Sequence, residues 1–457
     1  MYAIPLPQNT DASSVALRLG GRPGLLWLDG CGGTSEEGRW SFLGCDPVGL
    51  VRVEWGEKDP LGVLGRIECG GDRSPAPVKG APPPGRVPLW AGYVGYDAYW
   101  SDRERRLGFT DRPAPVLWLG RYPALVAIDH QRDKRAFVVG DDRTACEQLR
   151  ERISAKNAVE QPRAVLGEVE REDPDIHGQS IRAALDYIAA GEIYQVNLAR
   201  CWSASYRGAP LALWLRMRRA SPVPLGFFLD AGDHAVLGST MERFLLWDGP
   251  GGTLVTRPIK GTIRRTGRQD EEEARRLRSD EKERAEHAMI VDLMRNDLGR
   301  VAQVGTVQVA AVMEVEPYAK LSHLVSTVSC RTRPEVTLPV IVYPTSRPGS
   351  VTGTPKLRAI DIIEELERVP REIYTGALGY LDRAGGLSLA VSIRTAVVRS
   401  GRVRYLAGGG LVAASVVQNE IAETELKARV FLDAVQAMGE ASLGTGSERP
   451  VRVYAAK

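Results

Sequence analysis

The chain has 457 residues, of which 43% are hydrophobic and 26% are charged, and its net charge is +3. This composition is typical of a soluble globular protein with enough apolar material for a large core in one to three domains. It argues against a dedicated nucleic-acid binder, since no lysine- or arginine-rich block dominates any segment.

Cysteine usage and the apolar segments indicate the compartment. The six cysteines are widely spaced without a CxxC pair, which predicts reduced thiols and neither a zinc site nor a disulfide framework. The N-terminus has no basic region followed by an apolar run, and no apolar segment is long enough to cross a membrane. We therefore expect a cytoplasmic protein without a membrane partner.

Composition divides the chain into four parts. Residues 1–140 carry short strand-like runs, and residues 141–178 form a strongly charged connection. Residues 179–435 alternate short strands with amphipathic helices, beginning with a helix predicted at 179–190. Residues 436–457 are rich in glycine, serine and arginine, which predicts a flexible tail.

Lys260 lies in the strand-like segment 254–262 and is followed by a glycine that lets a ligand approach the backbone. An exposed lysine is protonated at neutral pH and is not a nucleophile. Burial lowers the pKa of such an amine and frees its lone pair for covalent chemistry. Taken alone, a lysine at the end of a strand is more often a solvated surface charge.

Two predicted helices each carry two carboxylates on one face. Asp280 is a suitable N-cap for the first helix, and the second begins near residue 418, with Lys427 one turn beyond its acidic pair. Oxygen donors without histidine or cysteine suit a hard cation such as Mg²⁺, and two solvated acidic faces are the alternative. The four carboxylates are Glu283, Glu286, Glu420 and Glu423.

Two glycine-rich turns predict a close approach between backbone and ligand. Residues 348–356 lead into a helix predicted at 357–366, with Thr354 as its N-cap and Pro355 at its first position. Such a helix start presents free N–H groups to an anion. The run 408–410 precedes the second acidic helix. Neither turn matches a nucleotide-binding motif, and a small carboxylate ligand is at least as compatible.

The segment 387–395 alternates apolar residues on one face with small residues and Arg394 on the other. Small residues beside an arginine leave room for a ligand, and arginine pairs preferentially with carboxylates. A structural salt bridge is an equally compatible role for Arg394.

In their order along the chain, these motifs resemble one family, the chorismate-utilising enzymes. The resemblance covers most of residues 180–432, and the short segment 38–44 also matches the family. It implies an α/β fold of the α+β type, with large antiparallel sheets stacked between outer helices, an N-terminal region like that of anthranilate synthase component I, and a chorismate-binding catalytic region. The matching segments are 191–198 (GEIYQVNL), 241–244 (MERF), 258–262 (PIKGT), 283–299, 321–326 (LSHLVS), 349–356, 374–380, 392–395 (SIRT), 408–410 and 420–427.

Two positions distinguish branches of the family. Isochorismate- and salicylate-forming members carry a lysine base where this chain has Gln195, so attack by water is disfavoured. Anthranilate synthases typically carry alanine where this chain has Lys260, and lysine there is typical of aminodeoxychorismate synthases. The resemblance implies that this lysine attacks ring carbon 2 of chorismate as the 4-hydroxyl leaves, and that ammonia then attacks carbon 4.

The resemblance also implies roles for other residues. Glu242 matches the general acid that protonates the leaving hydroxyl and then acts as a base. His323 matches a histidine near the reacting ring, with ordinary packing as its alternative role. Arg394 and Tyr374 match the pair that grips the enolpyruvyl carboxylate. The full set of implied substrate-binding residues is Gln195, Thr262, Gly353, Tyr374, Arg394, Gly408, Gly409, Gly410 and Lys427.

The implied cofactor is Mg²⁺, which would hold the ring carboxylate of chorismate. Glu286 and Glu423 match its direct ligands, and Glu283 and Glu420 match indirect ones. Nothing in the chain resembles a glutamine amidotransferase domain, so ammonia from glutamine implies a separate amidotransferase subunit. The implied product serves p-aminobenzoate and folate supply.

Some positions depart from the family pattern, and alternatives remain. Residues 28–30 (Leu-Asp-Gly) replace a serine-bearing motif that contacts tryptophan in relatives with a tryptophan pocket, although residues 224–226 match its other wall. The presence of a tryptophan site is therefore left open. An anthranilate synthase with an atypical Lys260 and a non-catalytic regulatory relative are the alternative functions.

Overall fold

Two large β-sheets and the helices outside them make up the fold. The computed structural model describes residues 1–31, 36–99, 114–131, 135–155, 158–265, 270–317, 321–443 and 452–454. Within these ranges the helices are α1 (Ala12–Leu19), α2 (Arg143–Ser154), α3 (Pro174–Ala189), α4 (Pro210–Ala220), α5 (Asp270–Ser279), α6 (Glu281–Gly299), α7 (Leu338–Thr345), α8 (Lys356–Leu366) and α9 (Val417–Leu443).

The strands are distributed along the whole described chain. In chain order they are β1 (Tyr2–Pro5), β2 (Leu25–Asp29), β3 (Trp40–Gly44), β4 (Gly49–Val53), β5 (Pro88–Val94), β6 (Leu117–Arg121), β7 (Ala124–Asp129), β8 (Ala136–Gly140), β9 (Ala164–Leu166), β10 (Glu170–Glu172), β11 (Gln195–Gly208), β12 (Leu225–Asp230), β13 (His234–Thr240), β14 (Arg243–Trp247), β15 (Thr253–Arg257), β16 (Ile259–Arg264), β17 (Gln308–Pro317), β18 (Leu321–Arg331), β19 (Gly353–Thr354), β20 (Ala377–Asp382), β21 (Leu387–Val391), β22 (Thr395–Arg399), β23 (Arg402–Leu411) and β24 (Arg452–Tyr454).

Among the described residues, the larger sheet has 14 strands and the smaller has 10. The larger has the order β1-β8-β7-β3-β2-β12-β13-β22-β23-β11-β10-β24, and β9 and β19 also pair with β11. The smaller has the order β16-β18-β15-β14-β21-β20-β5-β6-β4, and β17 pairs with β18. These pairs are antiparallel except β10 with β24, which confirms the predicted antiparallel sheets.

Three layers of apolar side chains hold the sheets and helices together. One lies between the sheets, where Leu26 and Phe227 of the larger sheet meet Tyr93 and Leu378 of the smaller. A second joins the outer face of the larger sheet to α1, α2, α4 and α9. A third joins the smaller sheet to α6 and α7. Most strand faces are therefore covered by another layer, as expected for sheets stacked between helices, whereas β4 and β17 each keep an exposed face.

The predicted parts 1–140 and 179–435 do not form separate sheets. Strand β2 of the first part pairs with β12 of the second, and β5 pairs with β20. The part between them, 141–178, contains α2, β9, β10 and the start of α3, so it contributes two strands to the larger sheet. Pairing with distant strands determines this arrangement, and local composition does not report such partners.

The C-terminal part differs from the predicted tail at 436–457. Helix α9 continues to Leu443, and β24 adds a short strand beside β10. Residues 444–451 and 455–457 lie outside the described residues. The helix extends because Phe431, Ala434 and Met438 bury their side chains against the larger sheet and neighbouring helices. Within the described chain, no helix is long and apolar enough to span a membrane.

Two local predictions also differ from the structure. Pro355, and not Thr354, is the N-cap of α8, because Thr354 pairs with β11 as part of β19. The segment 254–262 forms two strands separated at Pro258, which lacks the N–H that a continuous strand would donate. The N-cap predicted at Asp280 is confirmed, since its carboxylate accepts a hydrogen bond of 2.9 Å from the N–H of Glu283.

A chain of polar groups, buried at Tyr93 and His234 and exposed farther along, links the two sheets. The Tyr93 hydroxyl of β5 donates a 2.7 Å hydrogen bond to Nε2 of His234 in β13. The Nδ1–H of that imidazole donates to Asp233 at 2.7 Å, and Asp233 in turn pairs with Arg52 of β4 at 2.8 Å. Burial lowers the pKa of His234, which favours the neutral ring that can accept at Nε2.

Replacing Tyr93 with phenylalanine should lower the free energy of unfolding by about 1–3 kcal/mol, because the buried Nε2 of His234 loses its donor. Urea unfolding of the purified protein measures this change. Tyr96→Phe is the matched control. Tyr96 is equally buried, but its hydroxyl has no hydrogen-bond partner within the described part of the chain. Equal stability loss in the two variants would contradict a specific link between the sheets.

Candidate functional site

The predicted glycine run lies where the two sheets approach each other. Gly408, Gly409 and Gly410 are consecutive residues of β23, beside the start of β11. A Cβ atom on Gly410 would lie 2.7 Å from Nζ of Lys260 and 3.0 Å from Nε2 of Gln195. Both side chains therefore lie directly against this glycine. Gln195 and Gly410, which are 215 positions apart in the sequence (410 − 195), are neighbours in the structure.

A β-bulge directs Lys260 toward this glycine run. The register between β16 and β18 shifts between Lys260 and Thr262, and Gly261 at the bulge has a φ of 74°. The Lys260 side chain is 16% exposed, and its Nζ lies 3.6 Å from Oε2 of Glu286. This burial differs from that of the solvated surface lysine considered above.

Gln195 is fully buried at the start of β11. Neither atom of its amide has a hydrogen-bond partner within the described part of the chain. Leaving a buried amide unpaired has a free-energy cost. The group is therefore available to bind a polar ligand beside Lys260.

Glu242 lies between β13 and β14 with its side chain buried. Its Oε1 accepts a 2.6 Å hydrogen bond from the Ser350 hydroxyl. Burial raises the pKa of Glu242 to about 7, although that hydrogen bond and the charges of Lys260 and Lys427 act in the opposite direction. A carboxyl group with this pKa can both donate and accept a proton near neutral pH.

Helices α6 and α9 bring the four predicted carboxylates to the same region. Burial, and then the negative charge of Glu286, raise the pKa of Glu283, and Glu423 of α9 acts in the same direction. Glu420 and Glu423 lie beside Gly409, because a Cβ atom there would be 3.2 Å and 3.7 Å from their carboxylate oxygens. The pairs from the two helices thus act on one another electrostatically.

Lys427 connects α9 to the glycine run of β23. Its Nζ lies 2.6 Å from Oε1 of Glu423 and donates a 2.9 Å hydrogen bond to the carbonyl oxygen of Gly408. The lysine therefore fixes α9 against the glycine run of β23 and adds a positive charge there.

The carboxylates fit Mg²⁺ in kind. Within the described ranges, no three acidic, histidine or cysteine side chains are close enough to form a complete metal cage. Mg²⁺ does not require one, because one or two carboxylates together with water and substrate oxygens commonly complete its octahedral shell. The hard oxygen donors of α6 and α9 match a cation held between the two helices, and so does the pKa of Glu283, which is raised first by burial and then by the charge of Glu286.

Arg394, His323 and Tyr374 lie near one another or near the glycine run. Arg394 lies in the turn between β21 and β22 with a φ of 53°, and not on a continuous strand as predicted. Burial and then the charge of Arg394 lower the pKa of His323 to about 4. The buried Tyr374 hydroxyl lies near the backbone N–H of Gly408, while burial raises its pKa.

Two predicted substrate-binding residues have a different or undescribed environment. A Cβ atom on Gly353 would lie 2.2 Å from the carbonyl oxygen of Gln195, so pairing of β19 with β11 explains the glycine. The backbone of Thr262 pairs with His323, and the Thr262 side chain lies outside what the structure describes.

Two residues next to the site escape sequence reasoning. Ser350 lies in the turn interpreted above as an anion site, and nothing local links it to Glu242, 108 residues earlier. Arg371 is fully buried, pairs with Glu367 at 2.6 Å and donates to the carbonyl oxygens of Val351 and Asn197 at 2.8 Å and 2.7 Å. Only the three-dimensional arrangement reveals that this arginine joins the segments around the site.

A separate cavity of about 140 Å³ lies between the sheets at the position of the questioned tryptophan site. Leu28 and Asp29 form part of one wall, and residues 224–226 form part of another. Asp29 is already paired with Arg218, whose Nε donates to its carboxylate at 2.6 Å.

Comparison with known proteins gives the relationships of the chain. A family model described as chorismate binding enzyme matches residues 39–433. The chain is 38% identical over 416 residues to an aminodeoxychorismate synthase of Streptomyces griseus, with 88% of this chain covered. It spans only 54% of that relative's length.

Two further similarities cover most of both proteins compared. The chain is 33% identical to aminodeoxychorismate synthase component 1 of Escherichia coli K12, with 80% of each chain covered. The solved structure of anthranilate synthase component I from Streptococcus pneumoniae is 31% identical and has a TM-score of 0.72, covering 86% of this chain and 92% of that one.

Proposed function

The chain belongs to the family of chorismate-binding enzymes, and we propose that it is an aminodeoxychorismate synthase component I. The reaction joins chorismate and ammonia to give 4-amino-4-deoxychorismate and water. Relatives named for this activity and for anthranilate synthesis are similarly close, so overall similarity does not carry the proposal. Its main support is the largely buried Lys260 amine beside Gly410.

Lys260 acts as the nucleophile in the proposed reaction. Its neutral amine bonds to ring carbon 2, the ring double bond shifts, and the 4-hydroxyl leaves. Ammonia then bonds to carbon 4, the double bond shifts back, and the carbon–nitrogen bond to Lys260 breaks. This route divides a difficult substitution into two steps. Oε2 of Glu286 lies 3.6 Å from Nζ.

Glu242 acts as the general acid and then as the general base in the same reaction. In its protonated form it gives a proton to the departing 4-hydroxyl, which leaves as water. The resulting carboxylate then takes a proton from the incoming ammonia. A pKa of about 7, caused mainly by burial, suits a group that must do both near neutral pH.

Chorismate carries two carboxylates, and the site has positive or donor groups for each. Arg394 and Tyr374 bind the enolpyruvyl carboxylate in the proposed arrangement. Lys427 and the glycine run of β23, which are joined by a hydrogen bond, bind the ring carboxylate in the same arrangement. Mg²⁺, held by Glu286 and Glu423 with Glu283 and Glu420 behind them, would supply positive charge at the ring carboxylate.

Ammonia is proposed to come from glutamine through a separate amidotransferase subunit, as component I of a two-part enzyme implies. Free ammonia should replace that subunit at sufficient concentration. The product would then serve p-aminobenzoate and folate supply.

Product analysis tests the proposed activity directly. Incubation of the purified protein with chorismate, Mg²⁺ and an ammonium salt should yield 4-amino-4-deoxychorismate, identified by mass and NMR spectroscopy. Formation of anthranilate and pyruvate instead would identify the alternative amination at carbon 2. A folded protein that consumes no chorismate even with its amidotransferase would support a non-catalytic relative.

The covalent role of Lys260 predicts a trapped intermediate. Intact mass spectrometry with chorismate and Mg²⁺, but without ammonia, should detect an adduct equal to chorismate minus water. The adduct should be absent in Lys260→Ala and present in Lys58→Ala, which changes an exposed lysine. Aminodeoxychorismate formation by Lys260→Ala at the wild-type rate would contradict the nucleophilic role.

The proposed metal site predicts a change in Mg²⁺ affinity. Glu423→Gln should raise the Mg²⁺ concentration for half-saturation at least about tenfold, because a charged oxygen donor becomes a neutral amide. Calorimetric titration with Mg²⁺ measures this without turnover. Glu271→Gln on the exposed face of α5 is the control. Unchanged Mg²⁺ affinity in a folded Glu423→Gln variant would remove Glu423 from the metal site.

A further inference from the structure

Ser350 makes one hydrogen bond within the described part of the chain, and it is to the candidate acid. Its hydroxyl donates to Oε1 of Glu242 over 2.6 Å. The exposed fractions are 6% for Ser350 and 5% for Glu242. A short hydrogen bond between two buried groups is shielded from competition with water, so it constrains the carboxyl strongly.

The turn that carries Ser350 is fixed independently of Glu242. The carbonyl oxygen of Val351, the next residue, accepts a 2.8 Å hydrogen bond from Nη1 of Arg371. The Thr352 hydroxyl donates to the carbonyl oxygen of Pro348 at 2.9 Å. Gly349 packs so closely on α6 that a Cβ atom there would lie 2.2 Å from Cδ2 of Leu293. The residues on both sides of Ser350 are therefore fixed by contacts that do not involve Glu242.

Glu242 is also held at its backbone. Its N–H donates to Oγ1 of Thr240 at 3.3 Å, and its carbonyl oxygen accepts from the N–H of Val391 at 3.0 Å. These contacts fix the Cα atom but leave the side-chain torsions free. The Ser350 hydroxyl contacts this side chain at Oε1, and the backbone N–H of Ile259 also donates to the carboxyl group.

We propose that Ser350 is a positioning residue that acts through Glu242: by donating to Oε1, it places the exchangeable proton of Glu242 on Oε2. The inference rests on the proposed role of Glu242 in protonating the leaving hydroxyl of chorismate. Oε1 already receives the hydroxyl hydrogen of Ser350, so a proton on that same oxygen would require the hydroxyl to turn away. Within the described residues, the hydroxyl makes its hydrogen bond to Oε1.

The same contact also affects the proton affinity of Glu242. A donor to the carboxylate favours the charged form and so opposes the effect of burial. The charged groups that act on Glu242 in the same direction are Lys260 of β16 and Lys427 of α9, and the backbone N–H of Ile259 adds a further donor. Removing the hydroxyl should therefore raise the pKa of Glu242 while releasing its orientation.

Ser350→Ala tests both consequences by steady-state kinetics of chorismate consumption with Mg²⁺ and ammonium salt across pH. At neutral pH kcat should fall about tenfold with little change in the KM for chorismate, because orientation matters most in the transition state. The alkaline limb of kcat/KM should move up by about one pH unit, since Glu242 must be protonated to act first.

Two further variants separate positioning from general damage. Ser350→Cys introduces a slightly larger side chain with a weaker donor, so both effects should be intermediate, and it provides the test if the alanine variant does not fold. Ser346→Ala removes a buried hydroxyl whose hydrogen bond, among the described residues, is to the backbone of α7, so its alkaline limb should match the wild type. An unmoved limb in folded Ser350→Ala and Ser350→Cys would overturn the proposal.

The outcome is independent of which product the enzyme forms. Chorismate consumption reports loss of the 4-hydroxyl whether the amine enters at carbon 4 or carbon 2. If the wild type makes anthranilate, the proposed function fails while the Ser350 test still applies. If it makes 4-amino-4-deoxychorismate and the limb of Ser350→Ala does not move, the inference fails by itself.

Discussion

The site depends on one constraint, which is the free-energy cost of removing charged groups from water. These groups lie where the two sheets meet α6 and α9. Glu242, Glu283 and Glu420 would each be unfavourable there as isolated anions. The structure offsets their burial with Lys260 and Lys427, and it raises the pKa of Glu242 and Glu283. The arrangement is therefore neither a solvated acidic face nor an apolar core, and it leaves negative charge that a cation would balance.

Buried ion pairs around the site provide the rigidity that such an arrangement needs. Lys356 at the start of α8 pairs with Asp297 near the end of α6 at 2.6 Å, and Arg371 pairs with Glu367. The first pair ties together the two helices on either side of the Ser350 turn. Breaking one partner of such a pair leaves an uncompensated buried charge, so these contacts resist local displacement. The acid and the amine are thereby surrounded by ion-paired segments of the chain.

The distance between interacting residues along the chain largely determined what the sequence could predict. The cap at Asp280 and the paired carboxylates of α6 and α9 follow from spacings of three and four residues, and they were predicted correctly as helix features. The motif order gave the fold through resemblance to a family. The sheet shared by residues 1–140 and 179–435, the turn around Arg394 and the contact from Ser350 to Glu242 depend on partners far apart in sequence, which local patterns do not encode.

The close approach of Gly410 to the amine of Lys260 has an evolutionary consequence. A methyl group at 410 would occupy space only 2.7 Å from Nζ, so it would displace the amine from its place beside Gln195. A side chain at 410 and the amine at 260 therefore compete for the same space beside Gln195, so substitutions at these two positions are expected to be coupled in their effects.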